Sequence, residues 1–308
     1  MKVFYGLNES EMDTAVALGN FDGLHRGHQK VISLALAGAA DGLAPTVLTF
    51  ADSPKTVPGG GLLLSRKKKI ELLEEMGVRQ VYLLNFDSVR DMEPETFITE
   101  VLSGVCHAKK ACCGFNFTFG RGGWAGSNDL AALCSKHGIR TAVAGPVLDG
   151  GAPVSSTRIR HLISAGKVEE AARLLGRPFG YELPVLSGRK LGRQLGTPTI
   201  NQAPPEEFTL PKFGVYVTVV TAGGRRYCGV TNVGVKPTVG SSCILAETWM
   251  PRYSGPALYG AAVSVEFLKF LRPERKFPGL AELKDEIRRN GSQALEYFSN
   301  RFPNDSFV

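Results

Sequence analysis

Five apolar runs in the first half of the chain are separated by helical patterns, and after about residue 180 that alternation stops. The runs cover 14–18, 46–50, 80–84, 109–115 and 139–144, with helices predicted near 28–40, 65–76, 94–104 and 127–137 and two more near 156–165 and 168–175. Strands that recur after a helix return in the same direction, so they build a parallel sheet with helices on both faces. Ligands of such sheets sit beyond the carboxyl ends of the strands. Residues 176–180 read as a linker, and the runs near 214–220, 226–230, 243–249 and 261–268 then follow one another without helices. That texture predicts an antiparallel barrel or sandwich, crossed by a last helix near 280–289 and the aromatic pair Tyr297 and Phe298. At 308 residues the chain has room for both domains, placed at 1–178 and 179–308.

The formal charge of +7 is scattered, which suits small anionic ligands and does not call for nucleic acid. Its densest run, Arg66 to Lys69, opens a helix and reads as a solvated face. Six cysteines, at 106, 112, 113, 134, 228 and 243, show no metal-ligand spacing, and the adjacent Cys112 and Cys113 would point to opposite faces of a strand. Free thiols in a reducing compartment account for them. The first ten residues hold no signal-peptide apolar region, and nowhere do 18 apolar residues run together. A soluble cytoplasmic protein with no membrane partner is expected.

Chemistry concentrates first at the end of the 14–18 run, where the chain reads Gly19, Asn20, Phe21, Asp22, Gly23, Leu24, His25, Arg26, Gly27, His28. A strand feeding a glycine-containing turn into a helix start lets backbone N–H groups approach phosphate oxygens, and the helix dipole adds about half a positive charge. His25 and His28 supply donors that follow developing charge. Two histidines three apart also suit a structural cap or half a metal site. A second anion cradle is Ser155, Ser156, Thr157, Arg158 and Arg160, where hydroxyls and fixed charge meet at a helix start. Alone it is equally an ordinary capped helix.

In the second half, Gly188, Gly192 and Gly196 interleave with Arg189, Lys190 and Arg193, a composition able to wrap a polyphosphate. Pro198, Thr199 and Asn201 follow, and Thr199 and Asn201 offer two oxygen ligands to a hard cation such as magnesium beside ATP. The segment by itself also reads as a basic turn entering a strand.

Taken in order, these pieces resemble known motifs. The H-x-G-H at 25–28 is similar to the signature of the nucleotidyltransferase superfamily, and 155–160 is similar to the S-S-T-x-I-R element with which it holds ATP. The 188–201 segment, Asn232 to Thr238, Glu247, the Leu-Tyr-Gly at 258–260 and Leu271 to Phe277 are similar in order and spacing to riboflavin kinase. Gly114 to Gly120 resembles a further nucleotide element and marks Asn116 as a nucleotide contact. Nearly the whole chain therefore resembles the prokaryotic bifunctional riboflavin kinase/FAD synthetase family. That resemblance implies an α/β fold with an N-terminal Rossmann-like nucleotidyltransferase domain, a C-terminal antiparallel Greek-key barrel and a terminal helix.

It also implies two transferase activities, riboflavin + ATP to FMN + ADP and FMN + ATP to FAD + diphosphate, with Mg2+ and with small molecules as the only partners. Glu247 takes the role of kinase base, Arg272 that of a flavin contact, and Thr199 and Asn201 those of metal ligands. Gly19, Asn20, Phe21, Asp22, Gly27, Asn116, Ser155, Ser156, Thr157, Arg158 and Arg160 are assigned to ATP in the first domain; Gly188, Gly192, Arg193, Gly196 and Thr199 are assigned to it in the second. The sequence departs from the family at Thr197, Trp249 and Ala257, where phenylalanine, histidine and an acid are usual, and lacks the His-Pro after Phe50. A single-activity enzyme with one degenerate domain, or a flavin-binding protein without catalysis, are the competing expectations.

Overall fold

The computed structural model describes residues 1–51, 60–188, 192, 196–238 and 241–303. Two compact units emerge, one of Met1–Pro58 and Leu62–Arg158, the other of Gly59–Gly61 and Ile159–Val308. The strands of the first are β1 (Lys2–Tyr5), β2 (Thr14–Leu18), β3 (Ala44–Phe50), β4 (Gln80–Leu84), β5 (Ala108–Gly114) and β6 (Arg140–Ala144). They form one parallel sheet in the order β1-β4-β3-β2-β5-β6.

The central strand β2 is buried along its whole length, as expected where helices cover both faces. Its side chains divide by parity. Val16 and Leu18 join a core with Tyr82, Ile98 and Cys113, while Ala15 and Ala17 join another with Val31, Ile32 and Cys112. Cys112 and Cys113 thus face opposite layers, and all six cysteines are free.

The helices of the first unit are α1 (Arg26–Leu36), α2 (Arg66–Glu75), α3 (Pro94–Thr96) with a π-helical continuation through Phe97–Val105, and α4 (Ser127–Lys136). The α3 region differs from the regular helix expected: the Cys106 N–H donates to the Val101 carbonyl, five residues back, which widens the turn. Lys69 is a second correction. It lies four residues before the fully buried Leu73 on the inward stripe of α2 and is only 6 % exposed, so the basic run is not solvated throughout.

Two helices, α5 (Ser156–Ser164) and α6 (Val168–Leu175), precede the strands of the second unit. These are β7 (Phe179–Pro184), β8 (Thr199–Gln202), β9 (Gly214–Ala222), β10 (Arg225–Thr238), β11 (Ser241–Trp249) and β12 (Ala262–Arg272). They pair antiparallel in the order β7-β12-β9-β10-β11-β8. On the inner side Thr218, Thr231 and Thr248 form a chain of hydroxyls, each link 2.8 Å, with no exposure to solvent. The expected linker is in part strand β7. Gly180 is there because a Cβ would lie 2.3 Å from the Val265 carbonyl of β12, a close approach and not a turn.

The terminal helix α7 (Leu280–Arg301) also runs past its expected end at 289 and contains Tyr297 and Phe298. Asn290 and Gly291 do not stop it. Asn290 is 2 % exposed and accepts from Arg272, and a Cβ on Gly291 would strike the Trp249 ring at 2.5 Å.

Candidate active sites

At the carboxyl end of β2 the backbone leaves ordinary helical and extended space. Phe21 and Leu24 take φ +52° and +41°, a left-handed conformation that residues with a Cβ adopt at a cost. The turn is held from several sides. Asp22 accepts the Leu63 N–H at 3.0 Å through its carboxylate, and its carbonyl accepts from Ser156 Oγ at 2.9 Å. The Asn20 carbonyl accepts from Thr49 Oγ1 at 2.8 Å and from Lys69 Nζ at 3.0 Å.

His25 then caps α1, its Nδ1 accepting the His28 N–H at 3.2 Å. An accepting Nδ1 leaves Nε2 as the N–H end of the neutral ring. The two imidazoles stack with centroids 3.6 Å apart, and the Phe21 ring meets His28 edge-on at 5.3 Å. Gly27 suits this packing, because a Cβ would lie 3.1 Å from His25 Cε1, a tight contact.

These residues line a cavity of about 880 Å³ together with Ser155, Ser156 and Thr157 and with Asn116. Gly19, Asn20, Phe21, Gly27, His25 and His28 are all on its wall. Residues more than a hundred positions apart therefore converge. Ser155 caps the helix that follows, its Oγ accepting the Arg158 N–H at 3.3 Å.

Three expected contacts lie off the wall. Asp22 is turned to Leu63. Arg158 donates to the Asp149 and Ala152 carbonyls at 3.0 and 3.1 Å and pairs with the Asp149 carboxylate at 3.2 Å. Arg160 is 3 % exposed and donates to the Gly61 carbonyl at 2.8 Å. The cavity lining is also aromatic, with Phe50 against Phe86 at 5.1 Å and Phe117 stacked on Phe119 at 5.7 Å. Sequence reasoning assigned Phe50 and Phe86 no role, since the first ends a strand and the second lies just past one, like any core residue.

In the second unit the expected site residues meet through strand register. Asn201 on β8 faces Glu247 on β11, Asn232 on β10 faces the same Glu247, and Thr199 faces Trp249. Alternation puts these five on one side, while Ile200, Gln202, Thr231, Ala246 and Thr248 are buried on the other. Glu247 is paired with Lys236 at 2.8 Å. A Cβ on Gly188 would lie 2.2 Å from Asn201 Nδ2, so this glycine admits the amide.

Gly192 and Gly196 frame Thr197, whose N–H donates to the Gly192 carbonyl at 2.8 Å and whose Oγ1 is buried without a partner among the described residues. Arg193 lies outside the described residues.

Glu274 approaches from the segment after β12. It accepts from Asn232 Nδ2 at 3.1 Å, and a Cβ on Gly234 would meet its carboxylate at 2.1 Å. Arg272 is engaged elsewhere: its Nε is 3.0 Å from Glu286 and 3.1 Å from Asn290. Burial pulls this guanidinium below its ordinary pKa, and the Glu286 carboxylate opposes that. Burial pushes the Cys106, Cys113 and Cys228 thiols up to about 12, so none of these is a thiolate nucleophile near neutral pH.

Among the described residues no helix is long and apolar enough to cross a membrane, and no group of three His, Cys, Asp or Glu side chains could hold a metal ion. Residues 7–158 match the FAD synthetase family model and residues 175–298 the riboflavin kinase model. The bifunctional riboflavin kinase/FMN adenylyltransferase of Bacillus subtilis (strain 168) is 33% identical over 96% of this chain and 95% of its own. That of Escherichia coli (strain K12) is 30% identical over 96% of each. A crystal structure described as a macrolide-efflux protein from Streptococcus pneumoniae superposes with TM-score 0.86 at 29% identity, covering 96% of this chain and 99% of that one.

Proposed function

The chain belongs to the bifunctional riboflavin kinase/FMN adenylyltransferase family, and from that premise we propose how its residues divide the work. It is a transferase that converts riboflavin to FMN and FMN to FAD, with ATP as co-substrate of both steps. The adenylyltransferase domain is assigned to residues 1–178 and the kinase domain to 179–308, where β7 begins. The observation that carries the division is that each unit gathers its own set of groups: the histidine and hydroxyl wall of the cavity in one, the Asn201, Glu247 and Asn232 register in the other.

In the cavity, ATP lies along the Gly19–His28 turn and the Ser155, Ser156 and Thr157 hydroxyls, with Asn116 beside the nucleotide. The aromatic wall formed by Phe50, Phe86 and Phe119 seats the flavin ring. A volume of about 880 Å³ is at the upper end for small-molecule sites, as two substrates demand. The FMN phosphate is already ionised near neutrality, so adenylyl transfer needs orientation and charge stabilisation and no base. His25 and His28 supply the stabilising donors. Arg158 serves that site through the Asp149 and Ala152 carbonyls it holds.

On the barrel the nucleophile is a neutral 5′-hydroxyl, which requires a base, and Glu247 takes its proton. Gly188, Gly192, Arg193 and Gly196 wrap the phosphates of ATP, and Arg272 braces the flavin-side segment through Glu286. Thr199 and Asn201 fit Mg2+, since both present oxygen on one strand face beside a carboxylate. Bound there, the ion would neutralise phosphate charge.

Six free thiols and ATP dependence support a cytoplasmic location. Incubation of purified protein with ATP and magnesium, once with riboflavin and once with FMN, followed by chromatographic separation of the flavins, tests the scheme. Formation of only one of the two products would replace it with a single working site.

A further inference from the structure

A lysine seldom lies buried in a domain of this size without a task, because an ammonium removed from water is costly unless engaged. Lys69 is 6 % exposed and donates to the Asn20 carbonyl, which also accepts from Thr49 Oγ1. The next residue is Phe21, at φ +52°, with its ring edge against His28. The Asn20 side chain lines the cavity and its Oδ1 is buried without a partner among the described residues.

We infer that Lys69 is a positioning residue for adenylyl transfer: its ammonium clamps the Asn20 carbonyl and so fixes the peptide on which both Phe21 and, through the ring contact, His28 depend. A planar trans peptide carries its carbonyl and the following N–H on opposite sides, so fixing the Asn20 oxygen also fixes the direction of the Phe21 N–H. A left-handed residue with a side chain persists only where its surroundings over-determine it. Thr49, the Leu63 N–H and Ser156 hold this turn with neutral donors, whereas Lys69 brings a charge, and charged donors make the stronger bonds. The inference rests on the reading of the 19–28 turn as the ATP site.

The test compares the full-length parent with Lys69→Met, Lys69→Arg, Thr49→Val and His28→Ala, measuring kcat and KM for FAD formation from FMN and, in the same preparations, riboflavin phosphorylation. Lys69→Met keeps the bulk of the side chain and loses the charge. Its kcat is expected to fall about 10²-fold, the scale of a small misplacement of reacting groups, with KM for ATP and FMN within a few-fold of the parent. Lys69→Arg should recover most of the loss, and phosphorylation should be unchanged. Thr49→Val should show a smaller fall in the same parameter, and combined with Lys69→Met it should cost less than the product of the two. A Lys69→Met protein with parental kcat overturns the inference, and so does an arginine variant as impaired as the methionine one. Where His28→Ala loses FAD formation and Lys69→Met keeps the parental kcat, the inference alone fails. Parental FAD formation by His28→Ala removes the reading of the turn itself.

Discussion

In the first unit the groups assigned to catalysis hang on chain ends: β2 stops, Phe21 and Leu24 turn through left-handed space, and His25 and His28 follow at the start of α1. In the second they sit inside continuous strands, with Asn201 and Asn232 flanking Glu247 in register. In the proposed division of work, the difference follows the nucleophiles. A phosphate that arrives ionised needs N–H groups aimed at it, which strand ends and helix starts provide. A neutral hydroxyl needs a carboxylate held at a fixed height, which a ladder provides through its pairing. Left-handed residues cost about 1–3 kcal/mol each, so the turn depends on anchors from β3, α2 and α5, whereas the ladder is locally unstrained.

The contrast breaks most sharply at Glu247. Glutamine there should lower the rate of FMN formation by about 10²- to 10⁴-fold, the usual loss with a general base, while FAD formation from supplied FMN stays at the parental rate. Rates of both products in one preparation check this, and unimpaired phosphorylation would take the base off the ladder. His28→Ala is the mirror image. FAD formation should fall about 10²- to 10³-fold, as when one charge-stabilising donor is removed, with phosphorylation retained; equal loss of both activities in a folded variant would erase the separation of sites.

A smaller effect is expected at Asn201. With alanine, the magnesium concentration that half-saturates FMN formation should rise about 10- to 100-fold, and a titration of each step against magnesium should leave the FAD step unmoved. The smallest concerns stability alone. Thr231→Val strands the hydroxyls of Thr218 and Thr248, each link now 2.8 Å, and should destabilise the second unit by about 1–3 kcal/mol. Calorimetry would show one shifted transition, with FAD formation keeping its temperature profile.

Much of this contrast was legible before the structure, for physical reasons that differ by region. Strands β2 and β4 each open on one polar residue and run apolar from there to their ends, so their limits at 14–18 and 80–84 fall where the pattern puts them. The turn at 19–28 announces itself by glycine and histidine spacing. Strand β8 does not: Thr199, Asn201 and Gln202 are polar and Pro198 precedes them, so the segment reads equally as a basic turn until the family motifs are added.

Gly180 and Gly291 misled in the same way. Each looks like a breaker, yet each is a place where another group comes too close for a Cβ: the Val265 carbonyl in one case, the Trp249 indole in the other. Lys69 was hidden by its neighbours, since three further cations in sequence make a solvated face the natural reading. Its signal was the four-residue step to Leu73. Phe50 and Phe86 carry no sequence mark at all, because an aromatic that lines a cavity and one that fills a core differ only in what is left empty beside them.

The fit of the Trp249 ring against Gly291 gives the barrel and its helix a shared history. An indole and a missing side chain form a matched pair, so neither position is free to change alone. A histidine restored at 249 would leave the helix standing over an unfilled gap, and any larger residue at 291 would lift the helix from the sheet. Because Asn290, the next residue back, holds Arg272, such a lift would also disturb the segment that carries Glu274 to Asn232. Engineers exchanging kinase barrels between relatives would therefore have to move strand and helix together, as one inherited part.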